Sequence, residues 1–150
     1  MSVDRDRAPV AGIEAALDEL RSQTGASRVT LRQNLPGGYA FPVTHESLAP
    51  GAGSLREERT IDLRSQPVAR EVAGGRQVVQ DDCASASDDP EFQRMREVYG
   101  GLAAQIVTPV VVDGRVIAIV SLHQLGLQRH WSQSEIEACD ETAERLAELL

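Results

Sequence analysis

Residues 102–136 read LAAQIVTPVVVDGRVIAIVSLHQLGLQRHWSQSEI. Two apolar, β-branched runs flank Asp113-Gly114, the strongest short-range signal for a β-hairpin with a tight two-residue turn. Such a turn needs φ > 0 at both central residues, which Asp and Gly tolerate. The second run ends in polar residues at Ser121, His123 and Gln124. A short loop leads to Ser132-Gln133-Ser134-Glu135, a capping box that opens a helix, with Trp131 and Ile136 at the spacing of a hydrophobic staple. This hairpin is therefore the expected centre of the fold.

If Val112 pairs with Arg115, a plain ladder sets Thr108 opposite Ile119, Ile106 opposite Ser121 and Ala104 opposite His123. Side chains alternate across a strand, so these six residues are expected to share one face. That face mixes apolar and polar groups, as a ligand pocket does. The other face, with Ala118, Val120, Leu122, Val107 and Pro109, is apolar and suits packing against helices. His123 has two readings. It is either a ligand-contacting imidazole or a satisfied polar group inside the sheet, and a lone histidine is weak evidence for haem ligation.

Upstream, Val10, Ile13, Leu17 and Leu20 recur at three- and four-residue steps, predicting a helix that opens at Pro9 behind a solvated tail at residues 1–8. Its stripe serves either the core or a self-association seam. Ser27–Gln33 alternates as a strand. Tyr39–His45 reads as a second strand, demoted to an edge or bulge by Pro42. Arg59–Leu63 is ambiguous and could be a short strand. Ser65-Gln66-Pro67 starts a helix that runs to Val72, Arg76–Gln80 reads as a strand and Ala84–Asp89 as a loop. The helix from Pro90, capped by Asp88 or Asp89, carries Phe92, Met95, Val98 and Tyr99. Ile136, Cys139, Ala143, Leu146 and Leu150 mark the last helix. Helices at both ends and strands between them predict an α+β fold: a central antiparallel sheet with the terminal helices on one face.

Composition narrows the function. The chain has 150 residues, 41% hydrophobic and 3% aromatic, and a net charge of −8. All 15 basic residues are arginine and none forms a run. A nucleic-acid footprint is therefore not expected. No segment is apolar enough to span a membrane, and MSVDRDRAP lacks the apolar core of a signal peptide. Two cysteines, Cys83 and Cys139, make neither a disulfide framework nor a zinc site, so a reduced, cytoplasmic setting is expected.

Asp81-Asp82-Cys83 follows a strand and reads either as a pocket rim or as a solvated acidic loop. Cys139 lies on an apolar stripe and reads as core.

Four segments together resemble the GAF domain family: Gly74–Asp81, Ala104–Val110, Gly114–His123, and Arg129–Ser132 with Glu135-Ile136. The Ala-x-x-x-Thr-Pro-Val strand, the hairpin, the His123-Gln124 pair and the Arg129-x-Trp131 segment are most similar to GAF domains of phytochromes and cyanobacteriochromes. The resemblance covers nearly the whole chain after residue 8 and implies a single domain over 9–150, with a ligand pocket on the sheet face opposite the terminal helices. It implies small-molecule sensing, signalling through those helices, and a homodimer formed through them. It also favours pocket lining for His123 and places Phe92 and Met95 as core or pocket lid. The expected ligand-contacting set is His123, Ser121, Ile119, Thr108, Ile106, Ala104, Asp81, Cys83, Phe92 and Met95. In bilin-binding relatives a Cys lies in the helix or loop just before an Ala-x-Leu-x-x-Pro-Ile strand, which Ala104–Val110 resembles here. Phe92–Tyr99 has none, which argues against a covalent bilin and leaves the cofactor unknown. Two alternatives remain: a thiol enzyme similar to free methionine-(R)-sulfoxide reductases using Cys83, and a pure dimerisation module whose pocket is filled by its own side chains.

Overall fold

The computed structural model describes the backbone of residues 2–34, 41–58, 60–63 and 66–150, with side chains from residue 11 onward within those ranges. Helix α1 (Ser2–Thr24) is followed by β1 (Arg28–Gln33), β2 (Val43–Leu48), α2 (Pro67–Ala73), β3 (Val78–Gln80), α3 (Cys83–Ala86), α4 (Pro90–Val98), β4 (Leu102–Val112), β5 (Arg115–Leu125) and α5 (Gln133–Leu149). The five strands form one sheet in the order β2-β1-β5-β4-β3, every pair antiparallel. The fold is the expected α+β layer.

Four local features differ from expectation. Helix α1 starts at Ser2, so residues 2–8 are helical and Pro9 lies inside the helix. No glycine precedes Gly12 to break it. Residues 83–86 form a turn of helix because the Asp82 carboxylate accepts the Ala84 N–H and caps it. The second strand begins at Val43, beyond Pro42; the expected strand start at Tyr39 and Ala40 lies outside the described residues. No strand forms across residues 60–63.

Helices α1 and α5 cover one face of the sheet. Ile13, Leu17 and Leu20 from α1 and Cys139, Ala143 and Leu146 from α5 are buried with Val29, Leu31, Ala118, Val120, Leu122 and Trp131 in one apolar core. The described part of the α1 stripe is thus used by the core. The two helices approach closely where Gly12 faces Leu149: a methyl added at Gly12 would lie 3.2 Å from a Leu149 carbon. Arg145 of α5 pairs with Glu19 of α1 at 2.7 Å on the outside. The expected capping box at Ser132 and Glu135 is present, and Asp89 caps α4.

The hairpin turn forms as expected, with φ of 52° at Asp113 and 75° at Gly114. Val112 pairs with Arg115 and Val111 with Val116. The ladder then shifts by one residue. Val110 pairs with Ala118, leaving Ile117 as the extra residue of a β-bulge. The Ile117 carbonyl accepts the Asn34 N–H at 3.1 Å, so the bulge is used by the end of β1. Bulges carry no obligatory sequence mark, and a β-branched residue at this one gave no warning.

The shift corrects half of the expected face. Ser121 lies opposite Val107 and His123 opposite Gln105. Ala104 and Ile106 belong to the helix-side core. Thr108 Oγ1 accepts from Gln77, which also donates to Asp140 of α5. These three residues therefore lie on the helix side. Ile119, Ser121 and His123 remain on the opposite face, now joined by Gln105 and Val107.

Candidate functional site

On the face opposite α1 and α5 the sheet is covered by α2, α4 and the chain leading to α2. Between them lies a cavity of about 50 Å³. Its floor is Arg32, Gln105, Val107, Ile119, Ser121 and His123; its roof is Leu63, Gln66, Val68, Ala69, Met95 and Tyr99.

Alternation in β1 places the polar wall. Val29 and Leu31 are buried in the helix-side core, which turns Arg28, Thr30 and Arg32 to the other face. Arg28 is 1% exposed. Its Nε donates to His123 Nδ1 at 3.0 Å, and its two terminal nitrogens donate to the Gly53 and Tyr99 carbonyls. A guanidinium has only donors, so His123 Nδ1 is the acceptor and Nε2 carries the ring proton. Burial, followed by the positive charges of Arg28 and Arg32, holds the His123 pKa well below its ordinary value. The ring is therefore neutral, with an Nε2–H that has no protein partner among the described residues. Burial also lowers the Arg28 pKa to about 10, partly offset by Glu46.

Tyr99 links the two arginines. Its ring stacks on His123 with centroids 5.9 Å apart, and both guanidinium carbons lie 5.9 Å from its centroid. Arg32 donates to the Tyr99 hydroxyl at 2.8 Å and to the Phe41 carbonyl at 2.9 Å. Gln66 is 2% exposed. Its amide nitrogen makes a long bond to the Glu91 carbonyl, while Oε1 is buried without any partner. Thr30 Oγ1, across the ladder from Ser121, is likewise buried and unpaired.

Of the expected residues, the structure brings His123, Ser121, Ile119 and Met95 to the cavity. Phe92 and Cys83 are buried beside it in a cluster with Met95, Tyr99 and Leu102, and do not line it. Asp81 is turned to the loop before α5: its carboxylate meets His130 at 2.7 Å and accepts the Trp131 N–H at 3.2 Å. Arg32, Gln66, Tyr99, Gln105 and Val107 were missed. The β1 alternation marks Arg32, and the corrected register marks Gln105 and Val107. Nothing local marks Gln66.

The model of the GAF domain matches residues 11–150. The chain belongs to the GAF family. Among solved structures, this GAF domain is similar to the blue-light-absorbing form of the Thermosynechococcus elongatus PixJ GAF domain, at 23% identity and a TM-score of 0.77, covering 95% of this chain and 87% of that one. It is also similar to the photoproduct state of GAF3 from Slr1393 of Synechocystis, at 21% identity and a TM-score of 0.75, covering 90% and 88%. A phycocyanobilin-bound GAF domain from a cyanobacterial phytochrome matches at 21% identity and a TM-score of 0.74, covering 90% and 80%. These likenesses show a shared fold. No curated protein matches the chain.

The residues present do not fit a covalently held bilin. Neither thiol lines the cavity. Cys83 is fully buried, its thiol 3.6 Å from Gln80 Oε1, and burial pushes its pKa up to about 11. Cys139 lies in the core on the other side of the sheet, with its pKa pushed to about 12 by burial and then by Asp140 and Glu135. The cavity is also far below the roughly 300–1,000 Å³ of an ordinary ligand pocket. Among the described residues, no group of three or more His, Cys, Asp or Glu gathers to hold a metal ion, and no helix is long and apolar enough to cross a membrane.

Proposed function

We propose that this GAF domain is a non-catalytic sensory or regulatory module that binds a small molecule in the cavity between the sheet and α2/α4. One observation carries the reading. Gln66 lines that cavity with its buried Oε1 unpartnered among the described residues, and the His123 Nε2–H beside it has no protein partner among them either. Buried polar groups are otherwise nearly always paired, because leaving one unpaired costs free energy that a ligand atom recovers. Ligand contact is assigned to His123, Ser121, Ile119 and Met95, joined by Arg32, Gln66, Tyr99 and Gln105.

The signal would leave through α1 and α5, and a chain of hydrogen bonds supports this reading. Gln105 on the cavity floor donates to Gln80 Oε1 at 2.8 Å. The Gln80 carbonyl accepts the Trp131 indole N–H at 3.1 Å, next to the α5 cap. Arg129 joins that cap to the Thr24 carbonyl at the end of α1. A homodimer through the terminal helices, in the cytoplasm and without nucleic acid or membrane, completes the proposal. Its seam would use the outer helix faces, which expose Glu14, Asp18, Glu137, Glu141 and Glu144. Such a dimer tightens as salt screens like charges, which sedimentation at low and high salt measures.

The small cavity favours one other reading, a dimerisation module with a self-filled pocket. A metabolite screen by thermal shift separates the two. A sensor shows a stabilising ligand whose effect is lost in His123→Gln; a self-filled module shows none. The buried, high-pKa Cys83 gives the thiol-enzyme reading no support.

A further inference from the structure

We infer that the cavity selects a short carboxylate bearing a hydroxyl, a 2-hydroxy acid on the scale of glycolate. The inference rests on the reading of the cavity as a ligand site and names what that site would take.

Charge is the first argument. Arg32 lines the cavity, and among the described residues its terminal nitrogens bond only to neutral acceptors, the Tyr99 hydroxyl and the Phe41 carbonyl. Directly behind, Arg28 is held by an imidazole nitrogen and two carbonyls, again all neutral. Among the described residues neither guanidinium forms an ion pair with a carboxylate. Glu58, the acid that Arg32 influences, accepts instead from Thr60 and Ile61. Arg32 on the cavity wall and Arg28 behind it thus have no carboxylate in contact among the described residues, with Glu46 and Glu58 acting only from a distance, and a carboxylate is the group whose geometry and charge suit a guanidinium.

The neutral partners fix the rest. His123 Nε2–H is a donor and suits a second carboxylate oxygen. Gln66 Oε1 is an acceptor and needs a donor, which a simple carboxylate lacks and a hydroxyl supplies. An amide flip does not remove this need, because it would turn Oε1 toward the Glu91 carbonyl, another acceptor. Size sets the limit. A volume of about 50 Å³ corresponds to roughly four water-sized positions, close to the five non-hydrogen atoms of glycolate. Val107, Ile119 and Met95 supply the apolar remainder of the lining.

The test is calorimetric titration of the full chain with sodium glycolate, sodium acetate and neutral glycolamide at matched ionic strength. Glycolate should bind about tenfold more tightly than acetate, the equivalent of one hydrogen bond to Gln66. Glycolamide, lacking the charge, should bind at least tenfold more weakly than glycolate. Gln66→Met should erase the glycolate-over-acetate preference while acetate binding is kept, and Arg32→Gln should weaken both acids about equally. A loss of fold would move both ligands alike, so the ratio isolates recognition. Acetate binding as well as glycolate, or glycolamide binding as well, overturns the inference and leaves the sensor reading standing. No binding by any of the three overturns the inference as well. If His123→Gln is then also without effect in the metabolite screen, the sensor reading falls with it.

Discussion

The two faces of the sheet are built by different rules. Toward α1 and α5, one continuous apolar core gathers residues from both helices and three strands, with Trp131 closing its end. Toward α2 and α4, two smaller apolar clusters flank a cavity, the buried Arg28 and the half-buried Arg32. Among the described residues, the two buried side-chain polar atoms without a partner, Thr30 Oγ1 and Gln66 Oε1, both lie on the cavity side. One face is optimised for packing. The other holds unpaired polar atoms that reduce stability, which is the usual mark of a surface reserved for a ligand.

Removing Arg28 should break this contrast most severely. Arg28→Met leaves His123 Nδ1 and the Tyr99 and Gly53 carbonyls without donors, and is expected to cost about 3–5 kcal/mol in urea unfolding. Adding His123→Leu should recover part of the loss, because it removes one of the orphaned acceptors. The packing difference comes next. Leu122→Ala on the helix side should cost about 3 kcal/mol or more, whereas Met95→Ala beside the existing cavity should cost about 2 kcal/mol or less.

A third contrast is in pH. His123 is held neutral in the folded chain but titrates near 6.5 when unfolded. Below that pH the unfolded chain binds more protons, so stability is full above about pH 7 and is lost as pH falls. The urea-unfolding free energy should drop by at most about 1.4 kcal/mol per pH unit below pH 6.5 for this one group. His123→Gln should flatten most of that slope. His45, lowered by burial and then by Arg56, contributes a smaller part of the same sign. The smallest expected change in stability is a gain. Gln66→Met should stabilise the unliganded chain by about 1 kcal/mol, since it removes a buried orphan acceptor. Thiol labelling sharpens the picture without a free-energy readout: at pH 8 neither Cys83 nor Cys139 should react with a disulfide reagent until urea unfolds the chain.

The helix-side half of the molecule was legible because its signals are periodic. The stripes in α1 and α5, the Asp-Gly turn and the Ser132–Glu135 capping box are local patterns, and each appears where its residues predict. The cavity side was legible in part. Ile119, Ser121 and His123 follow from alternation along β5 alone. Their partners on β4 did not, because the Ile117 bulge is decided by how β1 and β5 meet, at the Asn34 N–H, and no local rule announces it. Arg32 and Tyr99 were readable in principle, from strand alternation and from the α4 stripe. Gln66 sits at a helix start, where its burial depends wholly on what α4 brings across. Asp81 and Cys83 follow a strand, as a pocket rim would, but the Trp131 loop and the Phe92 cluster claim them first.

The bulge at Ile117 sets the parity of the hairpin. With Ile117 unpaired, Gln105 and Val107 of β4 stand opposite His123 and Ser121 of β5, odd against odd, on the cavity side. Draw Ile117 into an unbulged ladder and every later pair slips by one residue. Ala104 and Ile106 would then face the ligand, while Gln105 would be driven into the apolar core and lose its bond to Gln80. Deleting Ile117 outright keeps the present pairs, from Val110 with Ala118 onward. One unpaired residue is thus a one-bit code for which side of the domain listens.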